Sequence, residues 1–146
     1  MSDAQGNGDT DRGAVHHIDL SVTDVAAAKA VYGPVLEWLG YTQVKDQPDG
    51  CEWDLRGREP FGASIGIRRA KTLRQHDGYA PGLQHLAWRV ESREAVDAVH
   101  DLLVERGVTV LDPPAAYPEY SGDYYAVFFA DPDGIKLEIV HAPGWI

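Results

Sequence analysis

The sequence predicts an α+β fold assembled from two copies of one βαβββ module, and three observations carry that reading. Residues 15–40 and 83–107 repeat one another, each opening on a histidine-led strand pattern and closing on a glycine. Between those ends each copy carries apolar residues at helical spacing. After each helix the chain alternates as strand.

The opening strands read His-Ile-Asp-Leu-Ser-Val at 17–22 and His-Leu-Ala-Trp-Arg-Val at 85–90. Helices follow: Val25, Ala28, Val31, Tyr32, Val35 and Leu39 form one apolar stripe, and Val96, Val99 and Leu103 form the other. Thr23 or Asp24, and Ser92, suit the N-caps, while Gly40 and Gly107 suit the left-handed position just past a helix end. Further strands are expected at 42–44, 51–55 and 63–68, and again at 108–111, 124–129 and 135–140. Asp131-Pro132-Asp133-Gly134 marks a tight turn before the last of them. The expected organisation is a disordered tail at 1–13 and a single domain at 14–146, with modules of about 14–70 and 82–141.

Composition narrows the function classes. A formal net charge of -10 opposes binding to nucleic acid or an anionic membrane, both of which need clustered Lys and Arg, and leaves a small molecule as the expected partner. The first residues lack the apolar run of a signal peptide or membrane anchor. Cys51, the single cysteine, excludes an intrachain disulfide and a Cys-rich zinc cluster, which fits a reducing, cytoplasmic setting.

Strand alternation brings the chemistry forward. Ile18, Leu20 and Val22 form an apolar face opposite His17, Asp19 and Ser21; Leu86, Trp88 and Val90 lie opposite His85, Ala87 and Arg89; Ile135, Leu137 and Ile139 lie opposite Lys136, Glu138 and Val140. The apolar faces bury against the helices, so His17, His85 and Glu138 all belong to the opposite, cup-lining face. Each residue alone reads more plainly as a half-buried imidazole or a solvated charge. Together, two imidazoles and a carboxylate form the ligand set of a mononuclear divalent site with open positions for substrate.

Three segments carry a family likeness: His16-His17-Ile18-Asp19-Leu20-Ser21-Val22-Thr23-Asp24, Gly82-Leu83-Gln84-His85-Leu86-Ala87-Trp88-Arg89-Val90, and Phe128-Phe129-Ala130-Asp131-Pro132-Asp133-Gly134-Ile135-Lys136-Leu137-Glu138. On these the chain resembles the vicinal oxygen chelate superfamily: glyoxalase I, extradiol dioxygenases, fosfomycin-inactivating enzymes and bleomycin-binding resistance proteins. The resemblance implies a curved, mixed eight-stranded sheet with helices on its outer face, a metal held by His17, His85 and Glu138, and a homodimer. It also implies a fourth ligand in glyoxalase I from the strand matching Ala63-Ser64-Ile65-Gly66-Ile67, where this chain has no strong donor. That departure argues against a methylglyoxal-detoxifying enzyme. The additional cup-face His of extradiol enzymes and the clustered cations of fosfomycin enzymes are not evident either.

Around this core, Tyr117, Tyr120 and Tyr125, in a Pro-rich stretch leading toward Glu138, are candidates to wall a pocket, with Tyr125 as a proton donor or acceptor; Tyr124 reads as structural. Arg89 shares the face of His85 and could grip a substrate carboxylate, or simply pair with Asp19 or another acid. Trp53 is the tryptophan expected to face the pocket. The expected activity is that of a divalent-metal enzyme using Fe, Mn, Ni or Zn for lyase, isomerase or dioxygenase chemistry, with Glu138 also acting in catalysis. The alternative is a non-catalytic drug- or toxin-binding protein of the bleomycin-binding type. If modules exchange between chains, His17 joins His85 and Glu138 of a second copy.

Overall fold

A computed structural model describes residues 12–55 and 63–145, so all but the end of the expected tail lies outside it. The first module comprises β1 (His17–Val22), α1 (Val25–Trp38), β2 (Tyr41–Gln47), β3 (Gly50–Leu55) and β4 (Ala63–Arg69). The second comprises β5 (His85–Arg89), α2 (Arg93–Glu105), β6 (Thr109–Ala116), β7 (Tyr125–Ala130) and β8 (Lys136–His141).

The paired βαβββ architecture read from the repeat is the architecture of the molecule. The strands form two four-stranded mixed sheets, β1-β4-β3-β2 and β5-β8-β7-β6, with the same order in each. β1 runs parallel to β4 and β5 parallel to β8, and the remaining pairings are antiparallel. Among the described residues of one chain the ladder does not pass from one sheet to the other. β1 and β5 therefore stand at corresponding edges of separate sheets.

Local chemistry sets the helix ends. Asp24 caps α1 by accepting from the amide of Ala27 at 3.0 Å, and Ser92 caps α2 through the amide of Ala95 at 3.0 Å. Gly40 and Gly107 end the helices at φ of 103° and 69°, a backbone region that costs a residue with a Cβ. The stripes then bury as their spacing requires: Ala28, Tyr32, Val35 and Leu36 of α1 lie against the first sheet, and Val96, Val99 and Leu103 of α2 against the second.

Two expectations are corrected. Trp53, expected toward the pocket, is fully buried in the core, near enough to α1 that its ring lies 3.7 Å from where a Cβ on Gly33 would stand. Cys51 and Trp53 share the apolar parity of β3, which faces the helix. Pro113 and Pro114, in the Pro-rich stretch beyond the strand expected at 108–111, lie inside β6. That strand is an outer edge with two register irregularities, where a missing N–H breaks no ladder bond.

The modules are joined through α1, α2 and the 131–134 turn. Tyr32 of α1 donates to Asp131 Oδ2 at 2.8 Å, and the amide of Thr23 donates to Asp133 Oδ2 at 2.9 Å. Asp131 Oδ1 accepts from the amides of Asp133 and Ile135, both at 2.9 Å. Burial pushes the Asp131 carboxyl above its ordinary range despite these bonds. Among the described residues no helix is long and apolar enough to cross a membrane.

Candidate functional site

The open face of the second sheet carries a cavity of about 550 Å³ whose lining includes His85, Arg89, Tyr124, Phe128, Lys136 and Glu138. Register explains the grouping. Ala87 lies across from Glu138 on β8, and Phe128 of β7 lies across from Glu138 on its other side. The small side chain of Ala87 leaves the space above β5 open to the longer carboxylate.

Glu138 is 1% exposed, so its charge must be met by donors. His85 Nε2 lies 3.0 Å from Glu138 Oε1, and the Tyr124 hydroxyl donates to Oε2. His85 Nδ1 meets the side-chain oxygen of Gln84, a contact that holds the ring with Nε2 directed at Glu138. An imidazole nitrogen and a carboxylate oxygen that close hold a proton or a cation between them. A separation of 3.0 Å is that of two donors each about 2.1 Å from one ion at a right angle. The spacing suits a divalent cation as well as a hydrogen bond, and the Gln84 contact orients the imidazole toward Glu138.

His17 belongs to the other sheet. It lies exposed on the open face of β1, with its Nδ1 3.0 Å from His16 Nδ1 and its Nε2 3.9 Å from Asp19 Oδ2. It does not line the cavity of His85 and Glu138. Among the described residues no three His, Cys, Asp or Glu side chains of one chain converge on a point.

The tyrosines sort differently from their sequence reading. Tyr125, expected as the catalytic phenol, turns toward α2, where it donates to Asp97 Oδ1 at 2.7 Å beneath the Arg93 guanidinium. Tyr124, read as structural, reaches Glu138 instead. Burial first, and then the bond to Glu138, raise its phenol pKa, so it remains a proton donor. Tyr120 lines the cavity and stacks on Tyr117 at 5.4 Å; Tyr117 meets the edge of Phe128 at 5.5 Å.

Arg89 lines the cavity and makes no ion pair among the described residues. Asp19, its expected alternative partner, lies instead 3.7 Å from Arg68. Lys136 sits 4.6 Å over the Phe128 ring. The cavity of this acidic chain thus holds two cations beside a carboxylate already engaged by His85 and Tyr124.

Fold and site together define a paired-module protein with a histidine–carboxylate pair in an aromatic cavity. The chain belongs to the Glyoxalase/Bleomycin resistance protein/Dioxygenase superfamily, whose family profile matches residues 14–139. It is 33% identical over 135 residues to the uncharacterised protein YqjT of Bacillus subtilis (strain 168), covering 86% of this chain and 97% of that one. The crystal structure of a candidate glyoxalase from Bacillus halodurans superposes with a TM-score of 0.74 at 27% identity, covering 92% of this chain and 99% of that one. The fosfomycin resistance protein FosX of Listeria monocytogenes shares the fold, with a TM-score of 0.66 at 19% identity over 89% of this chain and 93% of its own.

Proposed function

We propose that the protein is a divalent-metal-dependent enzyme of the vicinal oxygen chelate type, acting on a small anionic substrate that offers oxygens to the metal. The observation that carries this reading is the buried carboxylate of Glu138 facing Nε2 of His85 at 3.0 Å. His17, His85 and Glu138 would hold the ion, and the ion when bound supplies Lewis-acid stabilisation of negative charge developing on substrate oxygens.

The working unit in this reading is a pair of chains. β1 and β5 are sheet edges with an unpaired side, which is a template for pairing with another strand. Setting β1 of one copy beside β5 of a second makes a continuous eight-stranded sheet and brings His17 to the cavity of His85 and Glu138.

The remaining residues act on the substrate. Arg89, without an ion pair among the described residues and on the His85 face, holds a carboxylate or comparable anion, and Lys136 adds charge at the rim. Tyr124 keeps its proton on Glu138 and fixes that carboxylate's orientation. Phe128, Tyr120 and Trp145 line the cavity and limit water. The reaction is lyase or isomerase chemistry, or dioxygen insertion when the metal is iron.

A ligand-sequestering role of the bleomycin-binding type is the second reading, favoured by the stacked Tyr117 and Tyr120 beside the cavity. Metal analysis of protein purified without chelator separates the two. One divalent ion per chain, lost in His17→Ala and Glu138→Gln, is expected. Absence of stoichiometric metal, with ligand affinity unchanged in His17→Ala, would overturn the enzyme reading. Oxygen uptake on catechols by anaerobically reconstituted Fe(II) protein, beside hemithioacetal isomerisation, then sorts the chemistry.

A further inference from the structure

Asp19 stands in the first module where the repeat leaves a gap. In the second module the cavity carboxylate comes from β8, at the register pair Ala87↔Glu138. The corresponding pair of the first module is Asp19↔Gly66, between β1 and β4. The acid and the small residue have changed strands, but both pairs place one carboxylate and one near-absent side chain at the same point of the sheet.

The coordinates show the consequence at Gly66. A Cβ built there would collide with Asp19 Oδ1, so the Asp19 carboxylate lies over β4 in the space that a side chain at position 66 would fill. On β1 the same carboxylate turns toward the histidine, with Asp19 Oδ2 3.9 Å from His17 Nε2. Two donors of one ion, each about 2.0–2.2 Å from it, lie between roughly 3 and 4.3 Å apart. Both half-sites satisfy that condition, His17 with Asp19 at 3.9 Å and His85 with Glu138 at 3.0 Å.

We infer that Asp19 is the fourth protein donor to the metal, supplying from β1 the carboxylate that β4 lacks. The inference rests on the metal-enzyme reading above. Each module then contributes one histidine from its first strand and one carboxylate from the adjoining register pair, and the vacancy that argued against hemithioacetal chemistry is filled from the neighbouring strand. Glu52 is the competing acid, because it shares the row of Asp19 and Gly66. It lies two strands in from β1, about 9.6 Å away at ordinary strand spacing.

The test is Co(II) titration of the full chain, followed by affinity and by visible absorption, which reports coordination number without turnover. Asp19→Ala is expected to weaken Co(II) binding by about 100-fold or more, the upper end of what loss of an outer-shell partner costs, and to shift the spectrum. Adding Gly66→Glu to Asp19→Ala is expected to restore binding, since the colliding carboxylate is gone. Arg68→Ala, which removes the other partner of Asp19, is expected to stay within threefold of the parent. Parent-like affinity and spectrum in Asp19→Ala, with binding lost in His17→Ala and Glu138→Gln, overturns the role of Asp19 alone. Loss in Glu52→Gln with Asp19→Ala unaffected assigns the fourth donor to Glu52 instead. Parent-like binding in all of these variants removes the metal reading and this inference with it.

Discussion

The Tyr124 hydroxyl is donated to Glu138 Oε2, the oxygen that does not face His85. One carboxylate thus has its two oxygens assigned to different tasks. One is held by a phenol that keeps its proton, and the other is presented to the space in front of the imidazole.

Replacing Tyr124 with Phe removes that hold while keeping the ring. Metal affinity is expected to fall about 10- to 100-fold, the usual cost of losing an outer-shell partner, with no gross change in fold. A pH signature accompanies it. The folded-state pKa of Tyr124 is raised above the ordinary value of 10.0, so its contribution to stability is complete below that value and is lost as pH rises through the folded pKa. Thermal melts above pH 10 should therefore decline more steeply in the parent than in Tyr124→Phe, and parallel curves would contradict the bond.

A site shared between chains makes a distinctive demand on mixtures. His17→Ala and Glu138→Gln should each lack activity, yet unfolding and refolding them together should recover about a quarter of parental activity. Half the molecules are then mixed pairs, and each holds one intact site out of two. No recovery would place the complete site within one chain.

Arg89→Ala tests the charge of the substrate. Loss of a charge-assisted bond of about 1.5–3 kcal/mol corresponds to roughly 10- to 100-fold weaker binding of a small carboxylate probe such as oxalate, with metal content unchanged. Equal affinity in parent and variant, measured by calorimetry, would reassign Arg89 to the surface.

Asp131 carries the junction between modules. Asp131→Ala strips the acceptor from Tyr32 and from two backbone amides, and should cost about 2–4 kcal/mol, or on the order of 10 °C in melting temperature. Asp131→Asn keeps an acceptor for both amides and should lose less. Burial raises the Asp131 pKa, so the group favours folding most when protonated, and that share of stability is lost as pH rises through the folded value. The asparagine variant should lack that acid-side dependence; a melt profile superimposable on the parent's would refute it.

Alternation made much of this readable in advance. The phases of His17, His85 and Glu138 in their strands, the caps at Asp24 and Ser92, and the glycines at 40 and 107 are local properties, and local rules recover them. The same rule reaches further than it was first taken. Tyr124 shares parity with Phe128 and hence with the cavity, whereas Tyr125 shares parity with the buried Val127 and Phe129. Trp53 shares parity with Cys51 and the core. Pro113 and Pro114 were obscured by their ordinary meaning as strand breakers, which lapses at an edge. The relation between the two sheets was not legible, because periodicity orients each strand but says nothing about which edge it meets. The niche at Gly66 was hidden too, since the absent side chain and the carboxylate that fills its space lie far apart in sequence.

The edges of the two sheets are unequal. β1 and β5 hold unbroken register with their neighbours, while the opposite edges, β2 and β6, are interrupted by shifts at Gln43/Lys45, Val110/Asp112 and Asp112/Ala115. Irregular strands are poor templates for further pairing. In the proposed pair of chains, reciprocal docking of β1 on β5 would consume both regular edges at once and leave only irregular ones facing outward. Growth would then stop at two copies, and the strands that bear the histidines would also set the size of the particle.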